Sequence, residues 1–385
     1  MQQAHKPNGI ESWLEQLGQP SADRDYKPGH ARMHDLLAPL NLKRPKFRIR
    51  IAGTNGKGST ATMLANALQA CDLKVGLYTS PHIHNFNERI RINGEPISNE
   101  ALLSLIEAMM PTALKVGASY FEMATALALK HFSDSHVDVE VLEAGVGARL
   151  DATTAVDADM ALITPIGLDH QAWLGDTIES VAGEKAYVAD GCTMVLSAIQ
   201  LNVVMPILKQ HAHNLDVIEP DGSLSLSMQG NHQRQNAALA FNAAKCLLEQ
   251  GLIDGSVERI KEAIESTIVP GRLQMAKFGE ATIWLDAAHN HHAVEALLPM
   301  LKELNLDSIM VFTREDRDLS DSLELLRDCA ERVVGDKGDG LDQVFRSAVD
   351  ALKHELGKKP GGNHLVLGSF ITVAAALNWM EEYRE

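Results

Sequence analysis

Cysteine is scarce in this chain: Cys71, Cys192, Cys246 and Cys329 are scattered through 385 residues. They form no C-x-x-C pair and no disulfide-dense pattern, which speaks against a stapled secreted domain and for a reducing compartment. No apolar run approaches the length of a membrane span. The first twenty residues have only a short amphipathic stretch at Ile10, Trp13, Leu14 and Leu17 and lack the apolar core of a signal sequence. The expectation is a cytoplasmic protein. Positive charge is also in short supply, with 35 Lys and Arg against 51 Asp and Glu and a formal charge of −16. General affinity for nucleic acid or an anionic membrane is therefore not expected, since counterion release needs a basic surface. An anionic substrate must instead be met by locally placed lysines and arginines. Internal repeats and low-complexity tracts are absent as well.

What is present describes a globular protein, with 45% hydrophobic and 22% charged residues and enough length for two cores. From residue 47 onward, apolar runs of strand length alternate with longer amphipathic segments, the pattern of a parallel α/β sheet. Strands are predicted at 47–51, 75–78, 137–142, 160–163 and 194–196, with helices at 99–110, 122–132 and 256–268. Val269-Pro270-Gly271 breaks the last helix, and the domain boundary is placed there, giving domains 1–269 and 270–385. Strands at 282–285, 309–312 and 365–367 predict a second, smaller α/β unit.

The most informative segment is Ile51-Ala52-Gly53-Thr54-Asn55-Gly56-Lys57-Gly58-Ser59-Thr60. Phe47, Ile49 and Ile51 alternate with Arg48 and Arg50 as in a half-exposed strand, and Ala61, Met63, Leu64, Ala67 and Leu68 follow at helical spacing. The glycines fall at the joint, where free amides and the positive helix end point at anions. Lys57 can reach a terminal phosphate, and the Ser59 hydroxyl its metal ion. The spacing departs from G-x-x-x-x-G-K-[ST] by the extra Gly58. Further polar residues follow strands: Ser80 in Ser80-Pro81-His82, Glu143 before Gly145-Val146-Gly147, and His170 in Asp169-His170. A hydroxyl, a carboxylate and an imidazole beside a triphosphate suit a divalent cation, most naturally Mg²⁺. Taken singly, each has an ordinary role as turn, solvated charge or satisfied polar group. His289-Asn290-His291-His292 matches no familiar zinc spacing and has no cysteine nearby.

Assembled, these motifs resemble the folylpolyglutamate synthases, including the bacterial bifunctional dihydrofolate synthases, within the Mur ligase superfamily. The resemblance runs over most of the chain: the glycine loop, Ser80-Pro81-His82 with Asn87-Glu88-Arg89-Ile90-Arg91-Ile92, the segment Glu143 to Thr153, Ile166-Gly167-Leu168-Asp169-His170, and Leu174-Gly175-Asp176-Thr177 leading to Glu184-Lys185-Ala186. It implies a P-loop parallel-sheet ATPase domain like the Mur ligase central domain, followed by a smaller Rossmann-like domain. It implies ATP-dependent joining of L-glutamate to dihydropteroate and to folates through an acyl phosphate, in a monomer whose second domain closes over the nucleotide. By resemblance, Thr54, Asn55, Gly56, Lys57, Gly58 and Ser59 hold ATP together with Asn236, Arg272, Asp286 and His289. Ser59, Ser80, Glu143 and His170 are implied Mg²⁺ ligands, and Lys185 a lysine carried as a carbamate, with room for a second ion. Lys57, Lys185, His170 and Arg272 form the implied catalytic set. Ser119, Tyr120, Phe121 and Glu122, with Leu150, Asp151 and Ala152, match the pterin-binding region. The chain departs from the family pattern at Ala148, His291 and Arg317, and Asp25 to Arg32 resembles the dihydropteroate loop only loosely. A Mur-type ligase with another carboxylate acceptor and a non-catalytic nucleotide-binding relative are the alternative readings.

Overall fold

β1, Phe47–Ala52, runs through the middle of an eight-stranded sheet. The computed structural model, which describes residues 9–18, 29–220 and 222–383, completes that sheet with β2 (Val75–Tyr78), β3 (Ile90–Ile92), β4 (Glu95–Pro96), β5 (Val139–Glu143), β6 (Met160–Ile163), β7 (Met194–Ala198) and β8 (Leu215–Ile218). The order is β4-β3-β2-β5-β1-β6-β7-β8. The strands from β2 to β8 in that order pair in parallel, and β3 and β4 add an antiparallel edge. With β5 on one side of β1 and β6 on the other, the loops after Ala52, Glu143 and Ile163 leave the same end of the sheet side by side, where α/β proteins place their ligands.

The half-exposed reading of β1 is overturned. Arg48 and Arg50 are only 5% and 4% exposed, because a central parallel strand is covered on both faces. Arg48 is neutralised by its register neighbour Glu140 on β5, with Nε 2.5 Å from Oε2, and its Nη1 donates to the Asp157 carbonyl at 2.8 Å. Removing one member of such a pair strands the other in low dielectric. Glu140→Ala is expected to cost about 3–5 kcal/mol, whereas Arg48→Met with Glu140→Leu is expected to fall close to wild type. Urea denaturation of the three proteins checks this.

The chain divides into two compact units, residues 1–224 with 235–264 and residues 225–234 with 265–385. The second unit holds β9 (Gln274–Phe278), β10 (Ala281–Asp286), β11 (Leu306–Val311), β12 (Ala330–Gly335), β13 (Gln343–Val344) and β14 (Asn363–Leu367), ordered β13-β12-β11-β14-β10-β9. All pairs are parallel except β9 with β10. Both sheets bear out the α/β expectation, and the strands β3, β4, β8, β9, β12 and β13 are additions to it.

Helix ends differ where packing overrules local signals. The helix expected to end at Met110 runs from Asn99 through Pro111 to Val116, where Gly117 closes it at φ 67°. Met109, Met110 and Ala113 are buried on both sides of the proline, and that burial opposes a penalty of about 3 kcal/mol for an interior proline. The helix expected over 256–268 spans Val257–Glu265 and so ends before Val269-Pro270-Gly271. Among the described residues no helix is long and apolar enough to cross a membrane.

Candidate active site

The turn after β1 is built by glycines that leave no room for a side chain. Gly53 lies at φ 145°, and a Cβ there would stand 2.0 Å from Thr164 Oγ1. Gly56 lies at φ 87°, and its Cβ would stand 2.2 Å from Asn236 Oδ1. Asn236 is 3% exposed and belongs to the helix Asn231–Glu249. The glycine loop and the Asn236 amide thus form one surface, a contact that joins two sequence-predicted nucleotide residues from distant parts of the first unit. The helix Lys57–Gln69 begins at the loop with Gly56 as its N-cap, so its first amides face the turn.

Thr54 ties this loop to the one after β6. Its N–H donates to the Pro165 carbonyl at 3.0 Å, and its hydroxyl donates to Gly167 O at 2.8 Å while accepting from Gly167 N at 3.0 Å. Two lysines close on the same loop. Lys57 Nζ donates to Gly53 O at 3.1 Å and Thr54 O at 3.0 Å. Lys185, 2% exposed on the helix Ile178–Ala186, donates to Gly53 O at 2.9 Å. In a chain with net charge −16, two lysine side chains are thus gathered on this one loop.

Glu143 ends β5 at 4% exposure. A Cβ on Gly58 would lie 3.4 Å from its Oε2, and the same oxygen accepts from Ser80 N at 2.9 Å. Next to this carboxylate's loop, Ser59 Oγ is buried with no hydrogen-bond partner, and an orphaned buried hydroxyl is costly unless something absent from the protein completes it. His170 sits at φ 52°, where it starts the short helix Gln171–Leu174. Its backbone N–H donates to Asp169 Oδ1 at 2.9 Å, with Nε2 3.7 Å from Oδ2. No group of three or more His, Cys, Asp or Glu among the described residues is arranged to hold a metal ion. A hydroxyl-rich, carboxylate-poor set fits Mg²⁺, which keeps waters and takes phosphate oxygens in place of an all-protein cage.

The pterin-region residues are organised by two carboxylates. Ser119 and Glu122 form a reciprocal cap at the start of the helix Tyr120–Ser135, with Ser119 N donating to Glu122 Oε2 at 2.7 Å and Glu122 N to Ser119 Oγ at 3.3 Å. Arg32 pairs with Glu122 at 3.0 Å. Asp151, 1% exposed, spends Oδ2 on Gly145 N at 3.0 Å and Val146 N at 3.1 Å, and Oδ1 on Thr153 N at 2.9 Å and Thr153 Oγ1 at 2.6 Å. Its carboxylate therefore shapes the Gly145–Gly147 turn. Phe121 lies flat on that turn, since a Cβ on Gly145 would meet its Cζ at 2.6 Å. Tyr120 packs edge-on to Phe86 at 5.9 Å with the Arg89 guanidinium 5.6 Å from its ring. Ala152 is buried and Leu150 exposed. His82 accepts from Arg89 Nε at 2.9 Å, and burial, with the Arg89 charge, lowers its pKa to about 4. Arg32 and His30, which bonds the Asp151 carbonyl at 3.1 Å, belong to the loosely matching segment 25–32, of which Asp25 to Pro28 lie outside the described residues. Sequence offered no signal for the Arg32–Glu122 pair, because its partners are far apart in the chain.

In the second unit, Asp286 ends β10, and both its oxygens accept backbone amides, from Leu273 at 2.7 Å and Ala288 at 2.8 Å. Burial raises its pKa, opposed by the charges of Arg272 and His232. His289 Nδ1 lies 2.9 Å from Ala287 O. Asn290 caps the helix His291–Leu301 through a bond from Ala293 N at 2.8 Å. His291 takes the first helical position, one that suits proline, and its Nδ1 lies 2.9 Å from Ser322 Oγ.

Comparison with known proteins agrees with this geometry. Residues 51–217 match the family model described as the Mur ligase middle domain. The dihydrofolate synthase/folylpolyglutamate synthase of Bacillus subtilis is 36% identical over 313 residues, which cover 72% of this chain and 73% of the relative. That of Escherichia coli is 30% identical over 410 residues, covering 97% and 95%. The solved structure of E. coli FolC in complex with DHPP and ADP superposes with a TM-score of 0.84 at 29% identity, over 98% of this chain and 99% of that one. With a glycine loop built against Asn236, Glu143 and Lys185 inside such a fold, this chain belongs to the folylpolyglutamate synthase/dihydrofolate synthase family.

Proposed function

We propose that this chain joins L-glutamate to dihydropteroate and to folates as an ATP-dependent carboxylate–amine ligase, acting as a cytoplasmic monomer. The observation that carries the reading is the meeting of Asn236, Glu143 and Lys185 on the loop Gly53–Gly58. A protein that only holds nucleotide needs the cradle but has little use for a buried lysine and a buried carboxylate beside it.

In this reading the loop amides and Lys57 hold the terminal phosphates of ATP, and Asn236 adjoins the loop from the side. The terminal phosphoryl group passes to a carboxylate of the pteroate, giving ADP and an acyl phosphate. The amine of glutamate attacks the carbonyl carbon, the C–O bond to phosphate breaks, and the nitrogen gives up a proton as the amide forms. No protein nucleophile is required, so catalysis rests on positioning and electrostatics. Lys57 opposes the negative charge on the moving phosphoryl group, and Arg272 is read as the second unit's cation for the nucleotide. Ser59, Ser80, Glu143 and His170 would hold Mg²⁺, a reading supported by the buried Ser59 hydroxyl without a hydrogen-bond partner and by the Glu143 carboxylate against neighbouring Gly58. When bound, the ion supplies charge neutralisation at the phosphates. Lys185 as a carbamate would turn a cation on the loop into an anion able to share a second ion. Phe121 on the Gly145 turn, with Ser119, Tyr120, Glu122 and Leu150 to Ala152, would form the pterin side of the site.

The test is to incubate the purified chain with ATP, Mg²⁺ and glutamate, with dihydropteroate, tetrahydrofolate or another carboxylate as acceptor, and to follow ADP and product mass. ADP release that depends on a pterin acceptor, with product heavier by one glutamyl unit, is expected. Turnover only with a different carboxylate, or nucleotide binding without acceptor-dependent turnover, would sink the reading.

A further inference from the structure

Arg272 stands between two residues in left-handed backbone, Gly271 at φ 69° and Leu273 at φ 43°. Glycine adopts that conformation readily, but a leucine does so only where its surroundings hold it. Here they do. Leu273 is 3% exposed, and its N–H donates to Asp286 Oδ2 at 2.7 Å. Gly271 O accepts from Ala287 N at 2.9 Å, and Gly271 N donates to Gln274 Oε1 at 3.0 Å. Both sides of the turn are thus pinned to the end of β10, and Arg272 is the residue it presents.

The guanidinium is held by a different means. Its central carbon lies 4.8 Å from the centroid of the Phe370 ring, at the start of the helix Phe370–Glu382, while Nε is buried without a hydrogen-bond partner. An aromatic face attracts a cation through its quadrupole without using the in-plane N–H donors, and the Asp286 carboxylate, which also attracts this charge, spends both oxygens on backbone amides. A guanidinium stacked in this way is oriented and remains available to phosphate oxygens.

We infer that Phe370 is a positioning residue for Arg272: together with the turn pinned by Asp286, its ring presets the guanidinium for the polyphosphate of ATP. This rests on the reading that Arg272 meets the nucleotide. The test uses the full chain and steady-state kinetics with ATP varied. Phe370→Leu removes the ring face and is expected to raise KM for ATP roughly three- to tenfold with kcat changed less than about twofold. Phe370→Tyr keeps the face and is expected to restore wild-type KM. On an Arg272→Ala background, Phe370→Leu is expected to shift KM less than about twofold, because the partner it positions is gone. Should leucine unfold the protein, Phe370→Met carries the same expectations. An unchanged KM in Phe370→Leu, or an undiminished effect on the Arg272→Ala background, overturns the inference. Arg272→Ala with wild-type KM for ATP overturns the nucleotide reading beneath it, and the inference with it.

Discussion

Lys185→Ala is expected to lower ligase turnover by about a hundredfold or more, the scale seen when a preorganised charged or hydrogen-bonding group is removed from a reaction centre. Lys185 is 2% exposed and 2.9 Å from Gly53 O, so the side chain reaches the phosphate loop from within the protein interior. Part of the loss has a structural origin: Gly53 O keeps its bond from Lys57 Nζ at 3.1 Å, but a bond from a charged donor is lost, worth about 1.5–3 kcal/mol. Urea denaturation separates that part from the chemical one. Lys185→Arg divides the two chemical roles: it keeps a cation on the loop and cannot form the lysine carbamate. A carbamate role predicts that arginine is as inactive as alanine and that bicarbonate restores the wild-type rate in CO₂-depleted buffer. An active Lys185→Arg enzyme would falsify it.

The second large effect is expected at Gly56. An alanine there would have to hold φ near 87° and would place its Cβ 2.2 Å from Asn236 Oδ1. The backbone strain alone costs about 1–2 kcal/mol, and the overlap forces either the loop or the asparagine away. Gly56→Ala is therefore expected to lose about 1–3 kcal/mol of stability and to raise KM for ATP at least about tenfold. Combining it with Asn236→Gly removes the overlap. The double variant is expected to recover part of the stability and none of the ATP affinity, because the amide is gone. Wild-type KM and stability in Gly56→Ala would mean that the loop and Asn236 do not share the surface described.

The strand, glycine turn and helix around Lys57 were legible because every signal there is local: alternation, helical spacing and the residues that permit the joint. The short strands at 90–92, 95–96 and 343–344 escaped for the converse reason, since two or three residues carry no periodicity. Arg48 and Arg50 misled because alternation reports polarity and not exposure. A polar residue facing a buried partner reads the same as one facing water until Glu140 is placed beside it. Asp151 shows a further limit. The resemblance marked it for the pterin region, whereas of the four bonds it accepts two come from the turn that Phe121 meets and two from Thr153. Which of these roles dominates is decided by loop geometry that no spacing encodes.

By itself, the sequence determined the α/β class, the phosphate loop with its lysine and hydroxyls, and the set of polar residues that follow strands. Each depends on neighbours within a few positions, where backbone sterics and hydrogen-bond periodicity act directly. Only the tertiary structure decided that Asn236 and Lys185 meet that loop, that Glu122 is paired with Arg32, that residues 225–234 pack with the second unit, and that Phe370 holds Arg272. Those outcomes are choices of partner, made when distant segments are buried together and most buried charges and donors find a mate, so they emerge only once the whole chain is folded.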